Sequence, residues 1–322
     1  MYTPAQKEAI QTIDQNLQII ACAGSGKTEV ISQRIVEILK RGNGVRPANI
    51  VAFTFTTKAA EELRARIYRL CRQQLATEQG LPEMYVGTIH GYCLQLLQQP
   101  PAYEFLKYSV LNDLQQLLMI YRSPGQTGVK EVSWPKPQSK NKNRNKKRSE
   151  DSEKQESVER SNDWENSKLY QKLISILDEG DIKREKVPEG VLKGIDKYRK
   201  YIDEEHKKYF DYSGLLRRAV EELETKLELQ EKIRSTVHYL IVDEYQDVSP
   251  MQERLIRKIT ELGANLCVVG DDDQTIYQWR GSDVENILTF KERYPDVKSV
   301  TLNKNYRSSS QIVDISHVRV FF

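Results

Sequence analysis

The string Ala23-Gly-Ser-Gly-Lys-Thr28 constrains this chain more than any other feature. It follows the short apolar run Leu17–Cys22 and precedes a stretch in which Val30, Ile31, Ile35, Ile38 and Leu39 recur at helical spacing, with Gly42 placed to end the helix. A strand, a glycine-rich turn and an amphipathic helix, in that order, aim backbone N–H groups and the positive end of a helix dipole at one point. That arrangement holds phosphate. The small residues Ala23, Gly24, Ser25 and Gly26 let the backbone wrap the anion. Lys27 is placed to reach the β- and γ-phosphates of a nucleotide, and the Thr28 hydroxyl to ligate Mg²⁺. Ala21 stands where the usual pattern has Gly, a mild departure.

A second constellation fits the first. Asp243-Glu244 closes the apolar run Val237–Val242, so both carboxylates emerge at the carboxyl edge of a sheet, the edge on which the phosphate loop also sits. Asp243 is suited to holding Mg²⁺, and Glu244 to orienting and deprotonating an attacking water. Around these sites strand-like and helix-like stretches alternate. Ile50–Phe55 reads as a strand followed by a helix to about Leu75, and Met84–Thr88 as a third strand opening a helix at His90. Later, Ser249–Leu262 reads as a helix, and Asn265–Gly270 and Lys298–Leu302 as strands. Strands separated by helices of this length require crossovers. The expected fold is α/β, a doubly wound parallel sheet covered on both faces.

Residues 96–210 are of another kind, mainly helical and polar, without strand signals. Within them Lys136–Arg148 is basic low-complexity sequence, continued by a Ser/Glu/Lys-rich stretch, and the composition predicts disorder over about 136–166. A basic arm touching phosphates is the functional reading of the same residues. The net charge of +3 over 322 residues is too small to argue for nucleic acid alone. Four scattered cysteines without a CxxC pair exclude a disulfide framework, and neither a signal core nor a membrane-length apolar run occurs. A cytoplasmic protein with no membrane partner is expected.

With both sites in place, further segments resemble the UvrD/Rep/PcrA-type superfamily 1 DNA helicases. Thr3-Pro4-Ala5-Gln6 resembles the family's adenine-sensing motif, TFTTKAAEEL at 54–63 and VGTIHGYCLQLL at 86–97 its two DNA-contacting motifs, and VDEYQDVSPMQ at 242–252 its Walker B motif. VVGDDDQTIYQWRG at 268–281 is similar to the third motif and LNKNYRSSS at 302–310 to the fourth, while FDYSGLL at 210–216 is a looser echo. The resemblance implies a RecA-like P-loop NTPase fold with an inserted helical subdomain. It also implies roles: Gln6 reads adenine, Tyr306 stacks on it, and Arg307 and Gln274 meet the γ-phosphate. Phe55, His90, Tyr277, Trp279 and Arg280 would form a floor on which bases of single-stranded DNA stack, a sequence-tolerant contact. Glu29 departs from the pattern, since relatives often carry Arg there.

The expected organisation is a motor domain in two parts (1–95 and 211–300), the insertion at 96–210, and at 301–322 the start of a second motor domain. By resemblance the chain corresponds to the N-terminal half of an ATP-dependent, 3′-to-5′ DNA helicase using Mg²⁺. Such motors close a cleft between two domains around ATP, so weak binding and slow hydrolysis are expected of one half alone, unless another chain supplies the second. The alternative is a noncatalytic ATP- or nucleic-acid-binding remnant of such a helicase.

Overall fold

The computed structural model describes residues 2–42, 44–134, 151–204, 207–271, 287, 289–309 and 311; for 151–162 and Tyr103 only the backbone is described. It divides into two compact units, Met1–Tyr103 with Arg218–Phe322, and Glu104–Arg217.

The first unit is built on six parallel strands: β1 (Asn16–Ala21), β2 (Ile50–Phe53), β3 (Tyr85–Gly87), β6 (Tyr239–Val242), β7 (Asn265–Gly270) and β8 (Val297–Leu302), in the spatial order β3-β2-β6-β7-β1-β8. The inner strands β2, β6 and β7 are almost wholly buried, as helix-covered parallel sheets require, while the edge strands β3 and β8 are less so. The first half carries four helices: α1 (Pro4–Gln11), which is not among those expected from the sequence, and α2 (Lys27–Arg41), α3 (Thr57–Leu75) and α4 (Ile89–Gln98), which follow the expected pattern. Their starts are written in the sequence. Thr3, Thr56 and Thr88 each accept a hydrogen bond from a backbone N–H in the first turn, and Thr3 forms a reciprocal capping box with Gln6 behind Pro4. The core gathers Leu17, Ile19, Val30, Ile31, Ile35, Ile38, Leu63 and Ile67 between sheet and helices. β8 runs to Leu302 and pairs with β1 along its whole length, so it crosses the 300/301 boundary expected for a second motor domain.

In the second unit, α5 (Asp113–Arg122), α6 (Asp151–Glu179) and α7 (Glu189–Asp203) enclose a core of Ile120, Tyr170, Ile174, Ile195 and Tyr198. Two expectations are corrected here. The segment is not strand-free: β4 (Ser109–Val110) pairs in parallel with β5 (Tyr209–Phe210), strands too short to show any period in sequence. Nor does disorder extend to 166, because α6 already begins at Asp151. The Glu, Lys, Gln and Arg that lower hydrophobicity there are also good helix formers, and from Trp164 onward the helix packs, Trp164 edge-on against Tyr121. The basic run itself lies outside the described residues. Opening at Tyr212, α8 (Tyr212–Thr225) leads out of the insertion, and α9 (Leu227–Thr236) and α10 (Pro250–Glu261) complete the helices flanking β6. No helix among the described residues is long and apolar enough to cross a membrane.

Candidate nucleotide-binding site

The loop after β1 turns through two left-handed glycines, Gly24 (φ +74°) and Gly26 (φ +89°), and Gly26 caps α2. A Cβ on Gly24 would stand 2.5 Å from Asn305 Oδ1 and 2.7 Å from the Cβ of Arg307. Glycine is therefore needed there twice, for backbone conformation and for close approach. Ala23 is exposed at the loop tip, while Ser25 is buried and its Oγ has no hydrogen-bond partner among the described residues. Lys27 and Thr28 open α2, both partly exposed.

The sheet order explains what faces this loop. β7 lies between β1 and β6, so the loop after β6 stands one strand beyond it at the same carboxyl edge. There Asp243 ends the ladder, its N–H donating to Phe53 O. Glu244 adopts a left-handed conformation (φ +52°), unusual for a residue with a Cβ, which swings its carboxylate back toward α2. Lys27 Nζ meets Glu244 Oε2 at 3.2 Å. Burial, with Glu244 beside it, pushes the Asp243 carboxyl up to about 7, against the opposing pull of Lys27. Asp247 is pushed to about 6 by the same causes, and its Oδ1 is buried without a hydrogen-bond partner. Three carboxylates thus share one lysine, and the half-buried cluster disfavours its own negative charge. A divalent cation relieves that penalty. Among the described residues no three such side chains form a self-sufficient metal cage, so a cation here draws further oxygens from a ligand and water, as Mg²⁺ at phosphate sites does. The glycine cradle, the orphaned Ser25 hydroxyl and the carboxylates fit a Mg²⁺-bound polyphosphate.

Beside the loop lies a cleft of about 540 Å³, lined among others by Pro4, Gln6, Ser25, Leu302, Lys304 and Tyr306. Gln6 is held at both ends of its amide: Oε1 accepts from Thr3 N, and Nε2 donates to Ser25 O at 3.1 Å. Tyr306 also lines the cleft and is half exposed, and its N–H donates to Gly24 O at 2.8 Å. Asn305 Oδ1 accepts from the N–H groups of Arg307 and Ser308 and so shapes the turn that carries both Tyr306 and Arg307 against the phosphate loop. The segments 3–6, 23–28 and 303–308, far apart in sequence, converge because β8 pairs with β1 and α1 packs against both α2 and β8.

Phe55 and His90 follow neighbouring strands β2 and β3 at the same edge. The strand stops at Phe53, and Phe55 is 39% exposed beyond it, out of the core. His90 is in the first turn of α4 and partly exposed. Gln274, Tyr277, Trp279 and Arg280 lie outside the described residues.

Some participants carry no obvious signal in sequence. Glu29 is not turned to the loop: Oε1 accepts from Tyr2 OH at 2.7 Å and Oε2 pairs with Arg66 of α3 at 2.9 Å. Gln246, within the DEYQD string, reaches back to Glu244. Asn305, whose side chain shapes the turn at 305–308, likewise carries no signal of that role in sequence.

The chain matches the UvrD/REP helicase N-terminal domain over residues 2–295. It is 30% identical to the ATP-dependent DNA helicase PcrA of Staphylococcus epidermidis over 97% of this chain and 39% of that protein. Against the protein of the same name from Bacillus subtilis the figures are 29%, 96% and 38%. The chain thus spans about two-fifths of the length of these relatives, and it belongs to the UvrD/REP helicase N-terminal domain family.

Proposed function

We propose that this domain binds Mg²⁺·ATP at the loop 23–28 and couples its hydrolysis to movement along single-stranded DNA, as the ATP-binding motor domain of a DNA helicase. The observation that carries the reading is the Lys27–Glu244 pair at 3.2 Å, which joins the phosphate loop to the carboxylates of β6. Backbone N–H groups around Gly24 and Gly26 take the phosphates, and Lys27 leaves Glu244 for the γ-phosphate. Glu244, freed of its partner, orients water and accepts its proton. Mg²⁺, held by Thr28 and Asp243, supplies neutralising charge to the phosphates when bound. Gln6 and Tyr306 both line the cleft, and they are assigned to the edge and the face of the adenine. Arg307, beside Gly24, is the candidate arginine finger, and Gln274 the candidate γ-phosphate sensor. Phe55, His90, Tyr277, Trp279 and Arg280 are assigned to the DNA side. A 3′-to-5′ direction follows the family resemblance.

The test is Mg²⁺-dependent ATP turnover by the purified chain, with and without oligo-dT, beside Glu244→Gln. Turnover stimulated by DNA and lost in the variant supports the motor. Nucleotide binding that needs Lys27, with no turnover under any condition, points instead to a noncatalytic nucleotide-binding domain or to hydrolysis completed by a second domain. Absence of Mg²⁺-dependent nucleotide binding overturns the reading.

A further inference from the structure

Gln246 is 98% buried in the short helical turn after β6, and both ends of its amide are engaged. Nε2 donates to Glu244 Oε2 at 2.8 Å, the oxygen that also meets Lys27. On the other side Oε1 accepts the N–H of Asp271 at 3.1 Å, at the exit of β7. β6 and β7 are adjacent parallel strands, and the bridge spans their carboxyl ends. Gly270 leaves it room: a Cβ there would stand 2.6 Å from Gln246 Oε1 and 2.5 Å from Ile287 Cδ1, although its backbone conformation suits any residue. The close approach of amide to strand end is thus a built feature of the site.

A buried amide with both ends paired is favourable only while both partners stay in place, because leaving either end unmet costs more than a typical hydrogen bond returns. Glu244 must change partners when Lys27 turns to a phosphate. Gln246 is the side chain that senses that change, and its other end grips the backbone from which the chain continues into residues 272–281, where Gln274, Tyr277, Trp279 and Arg280 lie in sequence. We propose that Gln246 is a positioning residue that couples the nucleotide state at Glu244 to the segment leaving β7, and thereby links nucleotide binding to single-stranded DNA binding. The inference rests on the nucleotide and DNA sites proposed above.

The experiment measures binding, so it does not depend on turnover. Affinity for fluorescein-labelled oligo-dT is titrated with and without Mg²⁺ and the imidotriphosphate analogue of ATP, in wild type and in Gln246→Met, which keeps length and loses both hydrogen bonds. In the wild type, nucleotide is expected to change oligo-dT affinity about fivefold or more, the range of ordinary allosteric coupling. In the variant the ratio falls to within about twofold of unity, while affinity for a fluorescent ADP stays within about threefold of wild type. A merely structural role would instead weaken nucleotide binding beyond that range and leave the ratio at its wild-type value. Should Gln246→Met not fold, Gln246→Leu also loses both hydrogen bonds in a smaller apolar side chain, and the same ratio decides. An unchanged ratio in either folded variant, or a wild type that binds both ligands without coupling, overturns the inference. A wild type that binds no nucleotide removes the proposed function first, and the coupling with it, before any variant is made.

Discussion

Lys27 Nζ lies 3.2 Å from Glu244 Oε2, so the two side chains assigned to opposite ends of the phosphate chemistry neutralise each other in the free protein. The pair holds the phosphate loop and the β6 loop in register. It also sets a competition, because Lys27 cannot fully serve a phosphate while it serves Glu244. Removing the charge at Glu244 releases the lysine and removes the proposed base. Glu244→Gln is therefore expected to lower ATP turnover by about 10²–10⁴ while leaving Mg²⁺·ATP affinity unchanged or tighter. Steady-state turnover and a fluorescent-nucleotide titration check both halves. Affinity weakened tenfold would show that the pair assists binding rather than competing with it.

Asp243 gives the site a pH dependence with a definite sign. Burial and the neighbouring Glu244 raise its carboxyl to about 7 in the folded, metal-free protein. A raised folded-state value means that folding favours the protonated form. Its contribution is full below the unfolded value near 3.9 and is lost as pH rises through about 7. Asp243→Asn removes this titration. In metal-free buffer the variant's melting temperature should gain on wild type as pH rises from 5 to 8, with an upper bound of about 2.6 kcal/mol over that window that solvent access reduces. Because Mg²⁺ needs the ionised carboxylate, wild-type Mg²⁺·nucleotide affinity should strengthen over the same window. A flat melting difference across that range would count against a raised Asp243.

What could be read from the sequence was local. The loop 23–28 and the pair Asp243-Glu244 announce themselves because strand, turn chemistry and helix are contiguous, and β7 falls on the expected residues Asn265–Gly270. β2, β3 and β6 are each two residues shorter than their apolar runs, β1 is shifted one residue toward the N-terminus, and β8 begins one residue earlier. Phe55 shows why: the run continues past the last ladder residue Phe53, and hydrophobicity alone does not mark where pairing stops. The contacts that tune the site join residues distant in sequence. Glu29 looks like a charge reversal until Tyr2 and Arg66 are seen around it, and Gln246 means nothing until the order of β6 and β7 is known. In the insertion, β4–β5 was hidden by its length, and α6 by a composition that suits an exposed helix as well as a disordered chain.

Asp211, in the loosely matching segment 210–216, proves to be a structural hub of the insertion. Its carboxylate accepts from Tyr198 OH at 2.6 Å, Gln116 Nε2 at 2.9 Å and Gly214 N at 2.6 Å, all in the buried interior. Hydrogen bonds to a charged group contribute about 1.5–3 kcal/mol each, and removal leaves buried donors unmet. Asp211→Ala should destabilise the protein by roughly 3–5 kcal/mol, and Asp211→Asn by less, since its amide oxygen still accepts. Urea unfolding followed by tyrosine and tryptophan fluorescence measures both. A loss under 1 kcal/mol for the alanine variant would show that water replaces the carboxylate.

The last prediction concerns how the segment bearing Gln6 is fastened. α1 is tied to α2 at both ends. At the near end Tyr2 OH donates to Glu29 Oε1 at 2.7 Å, and Gln6 Nε2 to Ser25 O at 3.1 Å. At the far end the buried Arg34 donates to Ala9 O at 3.0 Å and also to Thr12 O, while Arg41 pairs with Asp14 at 2.9 Å. Glu29 also holds Arg66 of α3, so one carboxylate steadies the Gln6 side of the cleft and the helix that follows Phe55. The Tyr2 hydroxyl is raised to about 12 by burial and by this bond, and it stays a donor throughout the working pH range. Tyr2→Phe removes the near tie and keeps the ring. If Gln6 reads the base, ATP affinity should fall about three- to tenfold, the range of one charge-assisted hydrogen bond only partly transmitted. Affinity for inorganic triphosphate, which has no base, should stay within about twofold of wild type on the same reasoning. Competition titrations with the two ligands separate the cases: an equal loss for both would mean that Tyr2 supports the phosphate loop itself, and no loss for either would detach Tyr2 from nucleotide recognition.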